Sequence, residues 1–87
     1  MKELFDVLKN SKEAQRVLKG QALRSLTVMG EQMELLGCDE IACDLLKLVF
    51  KHSVIEAEKA GVEVPKEILD IGEHATKWSQ RIEMERN

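Results

Sequence analysis

Residues 39–61, DEIACDLLKLVFKHSVIEAEKAG, decide the fold that the sequence predicts. At about 100° per residue they form one helix with a broad apolar face. That face holds Ile41, Leu45, Leu48, Val49, Ile55 and Ala60, and Cys43, Leu46, Phe50, Val54 and Ala57 continue it round the back. A helix that is apolar around most of its circumference belongs in an interior. We therefore predict a central helix that other segments, or a second copy of the chain, must enclose.

The segment before this helix is also predicted to be helical. A short helix covers Met1–Lys9, and a second runs from Ser11 to Leu36, with Asn10 as its N-cap and Glu13 completing a capping box. The apolar face of this second helix holds Ala14, Leu18, Ala22, Leu26, Met29, Met33 and Leu36. In the alternative, residues 3–19 form one helix that breaks at Gly20. The sequence leaves open whether residues 3–36 form one helix or two.

The helix ends around the central segment carry their own signals. Gly37 and Gly61 supply the left-handed residue that ends many helices, and Asp39 is the predicted N-cap of the central helix. Pro65 opens a last helix that runs to about Glu85. Its apolar residues Ile68, Ile71, Ala75, Trp78 and Ile82 follow the 3-4-3-4 spacing of bundle packing.

These elements predict a single all-α domain over residues 1–87. Short loops favour antiparallel neighbours, so we expect an up-down helical bundle of three long helices plus a short N-terminal helix. Three long helices leave part of so apolar a central helix uncovered. We therefore expect a homodimer, since two-fold symmetry is the commonest arrangement.

Composition limits the possible partners. The net charge of −3 is unfavourable for nucleic-acid binding, although residues 1–24 carry six Lys or Arg against three acids. A nucleic-acid surface at Arg16, Lys19 and Arg24 is the least favoured reading. The longest uncharged run, Ser25–Gly30, is far shorter than a membrane span, and the charged first ten residues do not resemble a signal peptide. We expect a cytoplasmic protein without membrane contact.

Few residues suggest chemistry. His52 falls on the apolar face of the central helix with Glu56 one turn on, which indicates a core histidine that Glu56 satisfies. Cys38 and Cys43 are five residues apart, a spacing that matches no zinc motif, and Cys43 is expected in the core. No cofactor or metal is expected from these residues.

Acidic pairs suggest an alternative. Glu31 and Glu34 form an ExxE pair, and Asp44 follows on the next helix; carboxylate oxygens of this kind hold Mg²⁺. The run GEQMELLGCDEIACDLLKLVF resembles the central region of the all-α pyrophosphohydrolases of the MazG and phosphoribosyl-ATP pyrophosphohydrolase type. AEKAGVEVPKEIL is similar to their next turn and helix. Ile41 stands where the family has the first acid of its second motif.

The resemblance implies a divergent Mg²⁺-dependent nucleotide pyrophosphohydrolase that uses Glu31, Glu34 and Asp44. Helical periodicity places these three residues on polar faces, which favours solvated charges. Our first hypothesis is therefore a small nonenzymatic helical interaction module that acts through self-association or partner binding.

Overall fold

The computed structural model describes residues 2–86, with side chains from residue 4 onward. Within this range the secondary structure is α1 (Lys2–Asn10), α2 (Lys12–Val17), α3 (Gly20–Leu35), α4 (Asp39–Ala60) and α5 (Lys66–Arg86), with no strand. The all-α class is confirmed. Met1, where the first predicted helix begins, lies outside the described residues. No helix in residues 2–86 has both the length and the apolar content that crossing a bilayer requires.

Helix α4 is the centre of the packing. It contacts α3 on one side, α5 on the other, and α2 across its buried face. The buried residues of α4 are Ala42, Cys43, Leu45, Leu46, Val49, Ser53 and Ala57. The prediction of a central helix is confirmed, with its end at Ala60, but the predicted broad apolar face is buried only in part: Ile41, Leu48 and Ala60 are exposed and Ile55 is half-buried.

The predicted second helix over Ser11–Leu36 is wrong, because the chain breaks it into α2 and α3. Leu18 (φ −121°, ψ 130°) and Lys19 (φ −50°, ψ 132°) are both non-helical. These two non-helical residues change the direction of the chain before α3 begins at Gly20, and the Leu18 side chain stays buried. The alternative of one helix over residues 3–19 is also wrong, since a second break falls at Ser11.

The break at Ser11 also corrects the predicted N-cap. Ser11, not Asn10, caps α2: its Oγ accepts a hydrogen bond of 3.0 Å from the Ala14 backbone N–H. Asn10 instead ends α1. Glu13 pairs with Arg16 at 3.2 Å and closes no capping box in the contacts of the described side chains.

The ends of α4 and the start of α5 are close to the predicted positions. Gly37 (φ 81°) and Gly61 (φ 69°) are left-handed, as predicted. Asp39 is the first helical residue, so Cys38 takes the N-cap position and makes no side-chain cap. Pro65 directly precedes α5 rather than opening it, and its carbonyl accepts the first hydrogen bonds of that helix.

The seam of α5 is confirmed. Ile68, Ile71, Ala75 and Trp78 are buried, and Ile82 is half-buried against the same core. Cys43 on α4 donates its thiol to the Ala75 carbonyl at 3.3 Å, which joins the two helices at this seam.

Two glycines set how closely the helices approach. Gly30 on α3 lies under the buried ring of Phe5, and Gly72 on α5 lies under the ring of Phe50. A Cβ on Gly30 would lie 2.8 Å from Phe5 Cζ, and one on Gly72 would lie 2.6 Å from Phe50 Cδ2. Both contacts are too short for real carbon atoms, so α1–α3 and α4–α5 pack at distances that only glycine permits.

We expect Gly30→Ala to destabilise the fold by about 1–3 kcal/mol, because the new methyl group overpacks a buried ring. Urea unfolding followed by circular dichroism measures the change at a fixed protein concentration. Gly20→Ala is the matched control, since its Cβ would meet only Gln15 Cγ at an ordinary 3.9 Å. Equal midpoints for the two variants would show that Phe5 does not limit the approach of α1.

Candidate functional site

Several large apolar side chains at the α3 and α4 helices are exposed. Met29 is 51% exposed, Leu36 72%, Ile41 50% and Leu48 40%. We use the term α3–α4 surface for Ala22, Leu26, Met29, Met33, Leu36, Ile41, Leu45, Leu48 and Ile55. Large apolar side chains grouped on one face of a monomer mark an interaction site more often than scattered ones do.

These residues share one face because the other sides of both helices are occupied. Helix α1 covers the side of α3 that carries Gly30, through Phe5. Helix α5 covers the side of α4 that carries Lys47, whose Nζ lies 2.8 Å from Ser79 Oγ. At about 100° per residue, the apolar residues of the α3–α4 surface lie on the side of α3 that α1 does not cover and on the side of α4 that α5 does not cover.

Of the apolar face predicted for the second helix, Ala14 and Leu18 are buried in the protomer, while the part of that face on α3 is less buried. Ala22, Met29 and Leu36 are exposed, Leu26 and Met33 are half-buried, and α3 buries Leu23, Thr27 and Gly30 instead. Thr27 can be buried because its Oγ1 donates a 2.6 Å hydrogen bond to the Leu23 carbonyl. Helix α1 packs on the face of α3 that carries Gly30, so this face is buried. The spacing of apolar residues within α3 gives no information about where α1 lies.

Charge is sparse on the outer side of α3. The charged residues of that helix are Arg24, Glu31 and Glu34, and the two glutamates are half-buried. Residues 25–30 carry no charge at all. On α4 the α3–α4 surface is edged by Asp44 and Lys51, both exposed. The surface is therefore mostly apolar, with Asp44 and Lys51 along one edge and His52 and Lys59 on the same side of α4 as its apolar row.

The three acidic residues of the alternative site have different surroundings. Glu31 Oε1 lies 2.5 Å from Lys9 Nζ, and the two side chains are 20% and 28% exposed. Glu34 is half-buried on α3, and Asp44 is exposed on α4. Among the side chains of residues 4–86, no group of three or more His, Cys, Asp or Glu is placed to hold a metal ion. The structure does not bring Glu31, Glu34 and Asp44 together as one ligand set.

The histidine prediction is wrong in its placement. His52 is exposed, because its side of α4 faces outward with Ile41 and Leu48 rather than into the protein. Glu56 pairs with Lys59 at 3.6 Å instead of satisfying the imidazole.

The cysteine prediction is confirmed at Cys43, which is 2% exposed. Burial raises the pKa of the Cys43 thiol, nearby Lys47 lowers it, and Asp44 raises it further. A thiol held protonated in this way is a hydrogen-bond donor rather than a nucleophile. Cys38 is free and half-buried.

Two of the grooves on the described surface are lined mainly by polar residues. One, of about 190 Å³ between α4 and α5, includes Glu40 and Arg86, which pair with each other, and Lys47 and Ser79, which do the same. The other runs along α1, α2 and α3 and includes Lys9 and Arg24 with no acidic residue in its lining. The basic residues of the nucleic-acid reading do not converge there: Arg16 is not in the lining and pairs with Glu13.

Comparisons with protein-family models, with curated proteins and with solved structures give no match to this chain. The resemblance to the MazG-type pyrophosphohydrolases stays a prediction. Pyrophosphate release from nucleoside triphosphates with and without Mg²⁺ tests it directly.

The Glu31 ion pair gives a separate prediction. We expect Glu31→Gln to destabilise the protein by about 1–2 kcal/mol, since it removes the nearer charged partner of a half-buried Lys9 and leaves only the 3.8 Å pair with Asp6. Urea unfolding in low salt measures this. The control is Glu73→Gln, which breaks an exposed 3.2 Å pair with Lys77 and is expected to cost about 0–0.5 kcal/mol. Losses of equal size would contradict a structural role for the Lys9–Glu31 pair.

Proposed function

We propose that this protein is a nonenzymatic helical interaction module that works by self-association, with its up-down bundle completed by a second copy bound at the α3–α4 surface. The observation that carries the proposal is the exposure of Met29, Leu36, Ile41 and Leu48 on adjoining helices. Removing such apolar side chains from water is the dominant favourable contribution to most protein–protein association.

The arrangement of the short helices supports this location. Helices α1 and α2 pack on α3 and α4, which leaves the opposite face of these two long helices without a layer over it. A second copy would cover that face with the same two helices.

The dimensions of the surface also fit. Helices of 16 and 22 residues are roughly 24 and 33 Å long, and two adjacent helices are roughly 20 Å wide. A face of this size is comparable to the roughly 800 Å² per partner that a stable protein–protein interface covers.

Self-association is favoured over a different partner because the surface has few charges. In a two-fold dimer each residue set meets a copy of itself, so any strongly charged patch would repel its own image. Residues 25–30 carry no charge, and the row on α4 that holds Ile41, Leu48 and Ile55 is apolar. Neither would repel its own copy across a two-fold axis.

We expect Leu48→Glu to convert a dimer of twice 9.9 kDa into a monomer while the helical content stays unchanged. Leu48 is already 40% exposed, so a carboxylate there costs little in the protomer but would be unpaired and desolvated in the interface. Light scattering coupled to size exclusion gives the mass, and circular dichroism gives the helicity.

Val7→Glu is the matched control. Val7 is 52% exposed on α1, away from the α3–α4 surface, and its substitution should leave the dimer intact. A wild-type protein that stays monomeric up to about 100 µM, or a Leu48→Glu variant that stays dimeric, would overturn the proposal. Phe50 is unsuitable for this test, because it packs on Gly72 within the protomer.

A further inference from the structure

The outward row of α4 is symmetric about Leu48. Ile41 lies seven residues before it and Ile55 seven residues after it. Seven residues are close to two helical turns, so the three side chains line up along one side of the helix. Ile41 is 50% exposed, Leu48 is 40% exposed and Ile55 is half-buried, so the row faces outward along its length.

The charged border of this row has opposite signs at its two ends. Asp44 lies four residues before Leu48, and Lys51 lies three residues after it. Both side chains are exposed, on the same edge of the row, and no hydrogen bond or ion pair joins either of them to another described side chain. Asp44 lies close enough to Cys43 to raise the pKa of its thiol, but neither Asp44 nor Lys51 forms an ion pair among the described residues of the protomer.

We propose that two copies of α4 pack antiparallel across a two-fold axis at Leu48, so that Asp44 meets Lys51 of the partner subunit. This rests on the proposed self-association and deepens it by naming the contacting helices, their direction and the residue at the axis. In an antiparallel pair related by a two-fold axis, the edge of one helix that carries Asp44 and Lys51 faces the same edge of the partner helix. The order of the two residues is reversed in the partner, so the acid of each copy faces the base of the other. One rotation therefore forms the Asp44–Lys51 contact twice.

The antiparallel direction also matches the apolar side chains. Rotation about Leu48 places Ile41 against Ile55 of the partner subunit at both ends of the row. A parallel pair would place Ile41 against its own copy instead. Along one helix Ile41 and Ile55 are about 21 Å apart, so the two directions predict contacts that a disulfide distinguishes without ambiguity.

Single-cysteine variants test the direction. Each variant has one exposed cysteine, because Cys38 is replaced by serine. The remaining Cys43 is buried and hydrogen-bonded to the Ala75 carbonyl, so its thiol is inaccessible to the oxidant. The variants are Leu48→Cys, Ile41→Cys and Ile55→Cys, oxidised with diamide, alkylated and separated without reductant. A disulfide requires Cα atoms within about 7 Å.

We expect Leu48→Cys to crosslink with itself. Ile41→Cys and Ile55→Cys should each stay uncrosslinked alone and should crosslink when the two proteins are mixed and allowed to exchange subunits. Self-crosslinking of Ile41→Cys would overturn the antiparallel assignment, as would a failure of the mixed pair in a background that light scattering shows to be dimeric. A monomeric background would instead overturn the self-association itself, so the two failures are distinguishable.

Charge reversal provides a second measurement. Asp44→Lys should raise the dimer dissociation constant about tenfold or more, because it places like charges opposite each other at two symmetric contacts. Adding Lys51→Asp should restore most of the affinity, since the swapped pair is again complementary. Sedimentation equilibrium at low salt measures both constants. A double variant as weak as Asp44→Lys alone would overturn the proposed contact.

Discussion

The fold depends on one constraint, the burial of the inner side of α4 between α3 and α5. Leu46, Val49 and Ala57 on that side are 0–1% exposed and are spread along the longest described helix. An isolated helix gains little stability in water from its own hydrogen bonds, so this packing supplies most of what keeps α4 folded. The short helices α1 and α2 follow from the same constraint, because they cover the side that the long helices leave open.

Glycine residues allow α1 to approach α3 and α4 to approach α5 closely enough to fill the core. Gly30 accepts the ring of Phe5, and Gly72 accepts the ring of Phe50, so each glycine adjoins a large aromatic side chain on a neighbouring helix. A small residue facing a large one is how packed layers interdigitate at the density of protein interiors. The two Phe residues of the chain are both used in this way, which explains how a core with so few aromatic residues is filled.

Much of this could be predicted from the sequence, for identifiable reasons. The centre of the fold, the stops at Gly37 and Gly61 and the seam of α5 follow from local periodicity and from glycine at positions that need a positive φ. The break at Leu18–Lys19 lies directly before Gly20, where one of the two alternatives placed it, but no local signal chose between the alternatives. The break buries the Leu18 side chain, and the free energy gained from this burial offsets the helical hydrogen bonds lost at Leu18 and Lys19. For the same reason, Ser11 replaces Asn10 as a cap once α2 is turned toward α5, where Ser11 contacts Glu67.

The misplaced face of α3 shows what periodicity measures. It identifies an apolar row, but it does not say whether the chain itself or another molecule covers that row. Met29 and Leu36 satisfy the same spacing rule as the residues of the α5 seam, yet the protomer leaves them in water. Since α3 and α4 both expose an apolar row along their common boundary, one covering layer would bury both rows. A sequence pattern for an apolar row therefore predicts a surface that favours burial, and the packing of the neighbouring helices decides whether the protomer buries it.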